Sequence, residues 1–355
     1  MRKHLSYWLI ILLVAVPCAG ALVSCSKEWL HPHAKVSFVV LPESSTKAAF
    51  SAADEMRVAS LDLLVFDSSN GVLDTYVRAE AGGTESLSSL EASITSGVSM
   101  DWFLVANIPS GRLSSVSTKE ELLEKSTSMS DMSGRLMVMH AEGTRTFSAS
   151  GDVVDGVSLI RYACKVSVKN IRVSWLGTFA ESPSCVLDRI ALVNVRGDEK
   201  LSGELTFASS DLWYNKGVID SHASFLDACL LWSGNQAIDG PESQEVNVSL
   251  YAMPNSSEGD VVGPISVTNP WSPRRTRIAL RLTIDGTPQW YPVDLPAMVG
   301  KTHYVAEDVV IMGPGTPGPD EGMDRTTIDF TVNVYGWGEE NQGTFVFPSV
   351  DEVSP

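Results

Sequence analysis

Cysteine is too scarce and too irregularly spaced here for a disulfide framework. Of the five in 355 residues, Cys18 and Cys25 lie near the start, and Cys164, Cys185 and Cys229 form an odd set without Cys-x-x-Cys spacing. Cys164 alternates with Ile160, Tyr162, Val166 and Val168 on one face of a strand pattern, so it is expected to be a buried small hydrophobe. Histidine is equally thin. Of six, His4 is near the start, His140 and His222 are isolated, and His303 opens a strand. His31 and His33 flank Pro32 with no cysteine or carboxylate at ligand spacing, so no metal site is expected. Gly-x-Ser-x-Gly, His-Glu-x-x-His and a Gly-rich phosphate loop are all missing, which points away from an enzyme and from any cofactor. Positive charge is short as well: 26 Lys and Arg stand against 43 Asp and Glu, a net charge of -17. That balance argues against nucleic acid or anionic lipid head groups as partners.

A long apolar run is absent too. Arg2 and Lys3 precede an apolar stretch from Leu5 to Ala21, too short for a comfortable membrane span and placed as a secretory signal, residues 1–24. Leu22-Val23-Ser24-Cys25 has a leucine three positions before the cysteine with small residues between. It looks like a lipobox, so Cys25 is expected to be lipidated and to tether the protein to an outer membrane.

From Val36 onward the pattern has period two almost everywhere, with turn signals between runs, as in an all-β sandwich protein. Val36, Phe38 and Val40 alternate in a first strand, and Leu61, Leu63 and Val65 in a second. One helix is expected after Thr118, whose spacing to Glu121 is that of a capping box. The low-signal stretch from Ser148 to Asp155 divides the chain into domains at 48–155 and 156–312. In the second, Ile278 to Ile284 leads into Asp285-Gly286, a hairpin signal because both positions tolerate positive φ. Gly313–Met323 is rich in glycine and proline and reads as a flexible linker. Beyond it, in the segment 324–355, Ile328, Phe330, Val332 and Val334 form one more apolar face, which needs a groove to fill.

This layout resembles the fimbrillins, lipoprotein-derived subunits of type V pili. Besides the lipobox, Ser45-Thr46-Lys47-Ala48-Ala49-Phe50 followed by Leu61 to Asp67 is similar to the family's processing loop and first mature strand. Phe103-Leu104-Val105-Ala106-Asn107 resembles the central strand of its first domain. Leu159 to Val166, and His303-Tyr304 before a strand and the Gly-Pro linker, are similar to its second. The resemblance implies two β-sandwich domains of immunoglobulin-like or transthyretin-like topology, assembled by strand exchange. It also implies cleavage by a trypsin-like protease between Lys47 and Ala48, although the family usually carries arginine at this position; Arg57 is the next candidate, but it adjoins a strand and is expected to be less accessible. Cleavage would remove the leader, residues 25–47, and open a groove for the C-terminal strand of another pilus subunit.

The residues support that exchange on their own terms. Val36, Phe38 and Val40 would fill three successive pockets, at roughly 2 kcal/mol each, and Ile328, Phe330, Val332 and Val334 offer a replacement of the same period. Both strands could equally belong to one intact sandwich in cis. The standing alternative is a cell-surface lipoprotein that binds a glycan or host ligand without polymerising. For that role Trp213, Tyr214, Trp232, Trp271, Trp290 and Tyr291 are candidate stacking residues, with core packing as their other use.

Overall fold

The computed structural model describes residues 32–40, 55–132, 136–176, 183–204, 212–238, 240–257, 271–323, 326–337 and 341–347. In the N-terminal half the elements are β1 (His33–Val40), β2 (Ser60–Asp67), β3 (Leu73–Glu80), β4 (Ser89–Thr95), β5 (Ser99–Ala106), α1 (Lys119–Leu123), β6 (Ser126–Ser128), β7 (Met139–Thr146), β8 (Asp152–Val157) and β9 (Ile160–Arg161). The C-terminal half holds β10 (Cys164–Val173), β11 (Cys185–Val193), β12 (Val195–Arg196), β13 (Asp198–Lys200), β14 (Trp213–Tyr214), α2 (Ser224–Leu230), β15 (Leu231–Ala237) and β16 (Gln244–Ala252). It continues with β17 (Arg277–Ile284), β18 (Thr287–Asp294), β19 (Thr302–Ile311), β20 (Ile328–Gly336) and β21 (Asn341–Phe347).

The fold is all-β. In the N-terminal half a sheet of order β4-β1-β8 accompanies one of order β3-β2-β5-β7-β9, and in the C-terminal half β16-β10-β19-β20-β21 accompanies β15-β11-β17-β18. Alternating residues of these strands join one apolar core running through both halves. β5, whose sequence is nearly all apolar from Trp102 on, is the middle strand of its sheet, as such a run requires. Across the halves, β6 pairs with β13.

Local chemistry sets several of these elements. Thr118 caps α1, its hydroxyl accepting the Glu121 N–H at 3.2 Å. Asp285 and Gly286 take φ of 44° and 81° and close the β17–β18 hairpin. At the entry to β2 the Asn107 side chain accepts from Ala59 N–H and donates to the carbonyls of Arg57 and Met137.

Two expectations are corrected. The stretch read as an interdomain loop contains β8, which runs parallel to β1 and belongs to the N-terminal half, so the sheets change over at Tyr162 and Ala163. A β-bulge hid it: Phe38 faces Val154 but Val40 faces Val157, and Gly156 takes a φ of 73° in the extra stretch. The segment Gly313–Met323 is not a free linker either. Thr316 and Trp290 exchange two backbone hydrogen bonds, the Tyr291 hydroxyl donates to the Gly313 carbonyl at 2.9 Å, and Asp320 is buried in ion pairs.

Candidate functional site

The first strand is the central one of its three-stranded sheet. β1 lies between β4, to which it is antiparallel, and β8, to which it is parallel, so its removal would unpair an edge on each side. Its side chains alternate: Ala34, Val36, Phe38 and Val40 are buried, while His33 and Lys35 point to solvent. Phe38 is the centre of the buried face. Its ring meets Trp102 edge-on at 5.3 Å and Phe147 at 6.3 Å, contacts worth about 1 kcal/mol beyond area burial.

Trp102 forms that wall because β7 gives it room. Gly143 is its direct partner on the neighbouring strand, and a Cβ there would come within 2.6 Å of the Trp102 ring. Gly143→Ala is therefore expected to push the indole toward Phe38 and to cost about 1–3 kcal/mol. A lowered urea midpoint with an unchanged slope is the expected reading.

The last apolar strand has the same alternation. Ile328, Phe330 and Val332 are fully buried and Val334 partly so, with Asp329 exposed between them. β20 occupies its own half of the molecule, between β19 and β21, with Ile311 facing Ile328 and Thr302 facing Gly336 at the ends of the β19 ladder. A strand set free by a flexible linker was the expectation; the described arrangement is cis pairing. Its approach is pinned by Asp320, which receives the Arg274 guanidinium at 3.2 Å, the Arg277 guanidinium at 2.8 Å and the Asn194 amide at 2.7 Å.

Where the halves meet, a polar cluster links the two strands' surroundings. The Glu55 carboxylate is fully buried and pairs with Lys165 at 3.1 Å. It also accepts from the Tyr251 hydroxyl and, at 3.4 Å, from Trp337 Nε1. Trp337 stacks on Tyr251 at 6.1 Å and lies under the Arg161 guanidinium at 4.8 Å, while Arg161 also donates to the Glu55 carbonyl. Burial lowers the Lys165 pKa, against the pull of Glu55. Nearby, burial and the charges of Lys165 and Lys169 bring His303 down to about 3, so the imidazole is neutral beside the Ser167 hydroxyl at 2.8 Å. This cluster had no sequence signal, because Lys165 follows a strand alternation that assigns it no partner.

Cys25, Lys47 and Ala48 lie outside the described residues, with Lys47 between β1 and β2 in the chain. Cys164 is buried, its thiol donating to the Val299 carbonyl. The aromatic residues considered for sugar stacking turn largely inward. Trp213, Trp290 and Tyr291 are buried, and Trp271 meets Trp213 edge-on at 5.2 Å while its Nε1 donates to Asn194.

Residues 34–182 match the model of the family described as major fimbrial subunit protein (FimA). No curated protein matches the chain by sequence. Among solved structures, a fimbrilin (FimA) from Porphyromonas gingivalis W83 superposes with a TM-score of 0.60 at 15% identity, over 88% of this chain and 100% of that one. The tip fimbrial protein Mfa3 from Porphyromonas gingivalis, with C-terminal truncation, gives 0.52 at 16% identity, over 86% and 100%. A Parabacteroides distasonis protein described as a candidate cell adhesion protein gives 0.62 at 14% identity, over 86% and 99%.

Proposed function

We propose, from the match of residues 34–182 to the model of the major fimbrial subunit (FimA) family, that the chain is a subunit of a bacterial surface fimbria assembled by strand exchange. Export as a lipoprotein through Cys25 and cleavage between Lys47 and Ala48 would deliver it to the outer membrane and detach the leader. β1 would then give way to the terminal strand of a neighbouring subunit. The observation that carries this reading is the match between β1 and β20: Val36, Phe38 and Val40 in one and Ile328, Phe330 and Val332 in the other are buried at alternate positions, each set placing one phenylalanine among aliphatic side chains. Phe330 would take the Phe38 pocket between Trp102 and Phe147. The role is structural, with other pilus subunits and a processing protease as partners.

The packed cis position of β20 also suits the second reading, a standalone surface lipoprotein that binds a glycan or host ligand. A reversible lock separates the two. Val305 and Asn333 face each other across β19 and β20, so Val305→Cys with Asn333→Cys is designed to tie β20 in cis when oxidised. Under strand exchange the processed, oxidised protein stays monomeric, and reduction restores polymer. Equal polymerisation of the oxidised and reduced forms would overturn the donor role of β20, and absence of polymer from the processed parent under any condition would favour the standalone binder.

A further inference from the structure

Glu55 stands at a junction that the exchange reading does not use. It lies on the chain between the leader strand and β2, yet its carboxylate is buried against the C-terminal half, on Lys165 of β10 and Tyr251 of β16. The third donor to that carboxylate is Trp337, the residue that directly follows β20. One side chain therefore connects the segment downstream of Lys47 with the end of the terminal strand.

We propose that Glu55 is a latch: in the uncut chain it holds Trp337, and with it the C-terminal end of β20, on the molecule's own sheet, and cutting after Lys47 loosens that hold. This rests on the strand-exchange reading and adds to it a reason why a subunit keeps its terminal strand until it has been processed.

The geometry suits a hold that can be released. Trp337 is 5% exposed and packs against both the Tyr251 ring and the Arg161 guanidinium. Its bond to Glu55, at 3.4 Å, is longer than the Lys165 contact to the same carboxylate's Oε1 at 3.1 Å. Withdrawal of Trp337 takes one donor from a carboxylate that keeps Lys165 and Tyr251, so no unpaired charge is left buried behind it. The backbone of Glu55 is part of the hold as well, since Arg161 donates to its carbonyl at 3.2 and 3.3 Å. In the uncut chain that backbone is tethered on one side by β1, paired on both edges, and on the other by β2. Cleavage after Lys47 ends the first tether, and a segment fixed at one end has more conformational freedom to gain on detaching.

Glu55 and Trp337 act here as positioning residues, and amide hydrogen exchange of the full chain reads that role directly. In the uncut protein, Glu55→Gln and Trp337→Phe are each expected to speed exchange in Val332–Gly336 at least tenfold, with β10 amides unchanged. Trypsin cleavage of the parent after Lys47 is expected to produce the same acceleration, and cleavage of either variant to add nothing further. A contact that only contributes to stability would give additive effects of variant and cut. Parent-like exchange in both variants, or an equal gain on cutting in variants and parent, overturns the latch. Should Glu55→Gln lose β10 protection through the unpaired Lys165, the milder Trp337→Phe decides alone. The outcome is independent of the disulfide lock: accelerated exchange without polymer leaves the latch standing and removes strand donation, whereas normal polymer from chains with unaltered exchange does the reverse.

Discussion

Cutting the chain after Lys47 is expected to leave β1 in place. Val36, Phe38 and Val40 are almost fully buried, and at roughly 2 kcal/mol each they contribute about 6 kcal/mol through burial alone. That is comparable to the whole stability of many domains. The strand is also hydrogen-bonded along both edges, to β4 over His33–Val39 and to β8 over Val36–Val40. A single peptide-bond cleavage removes none of these contacts. The nicked leader should co-elute with the body of the protein on native gel filtration and separate only in denaturant. Exchange is then a displacement, in which an incoming strand of matching period takes over one pocket at a time. A synthetic peptide covering residues 326–337 is expected to accelerate release of the leader. The same peptide with Phe330→Asp should not, because a carboxylate placed between Trp102 and Phe147 has no partner. Immediate loss of the leader on nicking, without any peptide, would show that β1 contributes far less than its burial indicates.

The part of this site that was legible in the sequence is the part governed by alternation. Val36, Phe38, Val40 and Ile328, Phe330, Val332 announce themselves because a strand with one buried face repeats every two residues, and the structure buries all six. The Asp285-Gly286 turn and the Thr118 cap were legible for a similar reason, since each depends on residues within a few positions. What stayed hidden depends on partners far along the chain. β8 carries a bulge at Asp155 and Gly156 that breaks its period, and only the pairing with β1 makes it a strand. Glu55 and Trp337 are 282 positions apart, and no local pattern relates them. The Gly313–Met323 segment misled most: its composition describes the freedom of an isolated chain, while its fate was decided by Asp320 meeting Arg274 and Arg277. Flexibility inferred from glycine and proline holds only while nothing else on the segment is worth burying.

That ion-pair cluster gives the strap its own expected result, opposite to what a free linker would show. Deleting Gly313–Met323 should lower the melting temperature of the monomer substantially even though the strap adds little apolar burial. Ile311 and Ile328 are already paired across β19 and β20, so a short turn could join the two strands and loop closure is not the difficulty. The cost comes from Arg274 and Arg277. Asp320 is 5% exposed in its side chain and Arg274 6%, and removing one partner of a buried pair typically costs about 3–5 kcal/mol because the other charge stays desolvated. Arg277 keeps Asp294 beside it; Arg274 depends more heavily on Asp320. Asp320→Ala alone should therefore reproduce most of the loss seen on deletion, and adding Arg274→Met to it should recover part of the stability. The same cluster limits the swing of the terminal strand. With Asp320 still anchored, only residues 321–327 can extend ahead of β20, about 25 Å at full stretch, so a neighbour's groove has to lie within that reach unless the anchor itself opens. Thermal melts of the deletion, Asp320→Ala and the double variant decide the point: a deletion that melts with the parent would mean that the Asp320 pairs contribute nothing and that the segment is the free linker its composition describes.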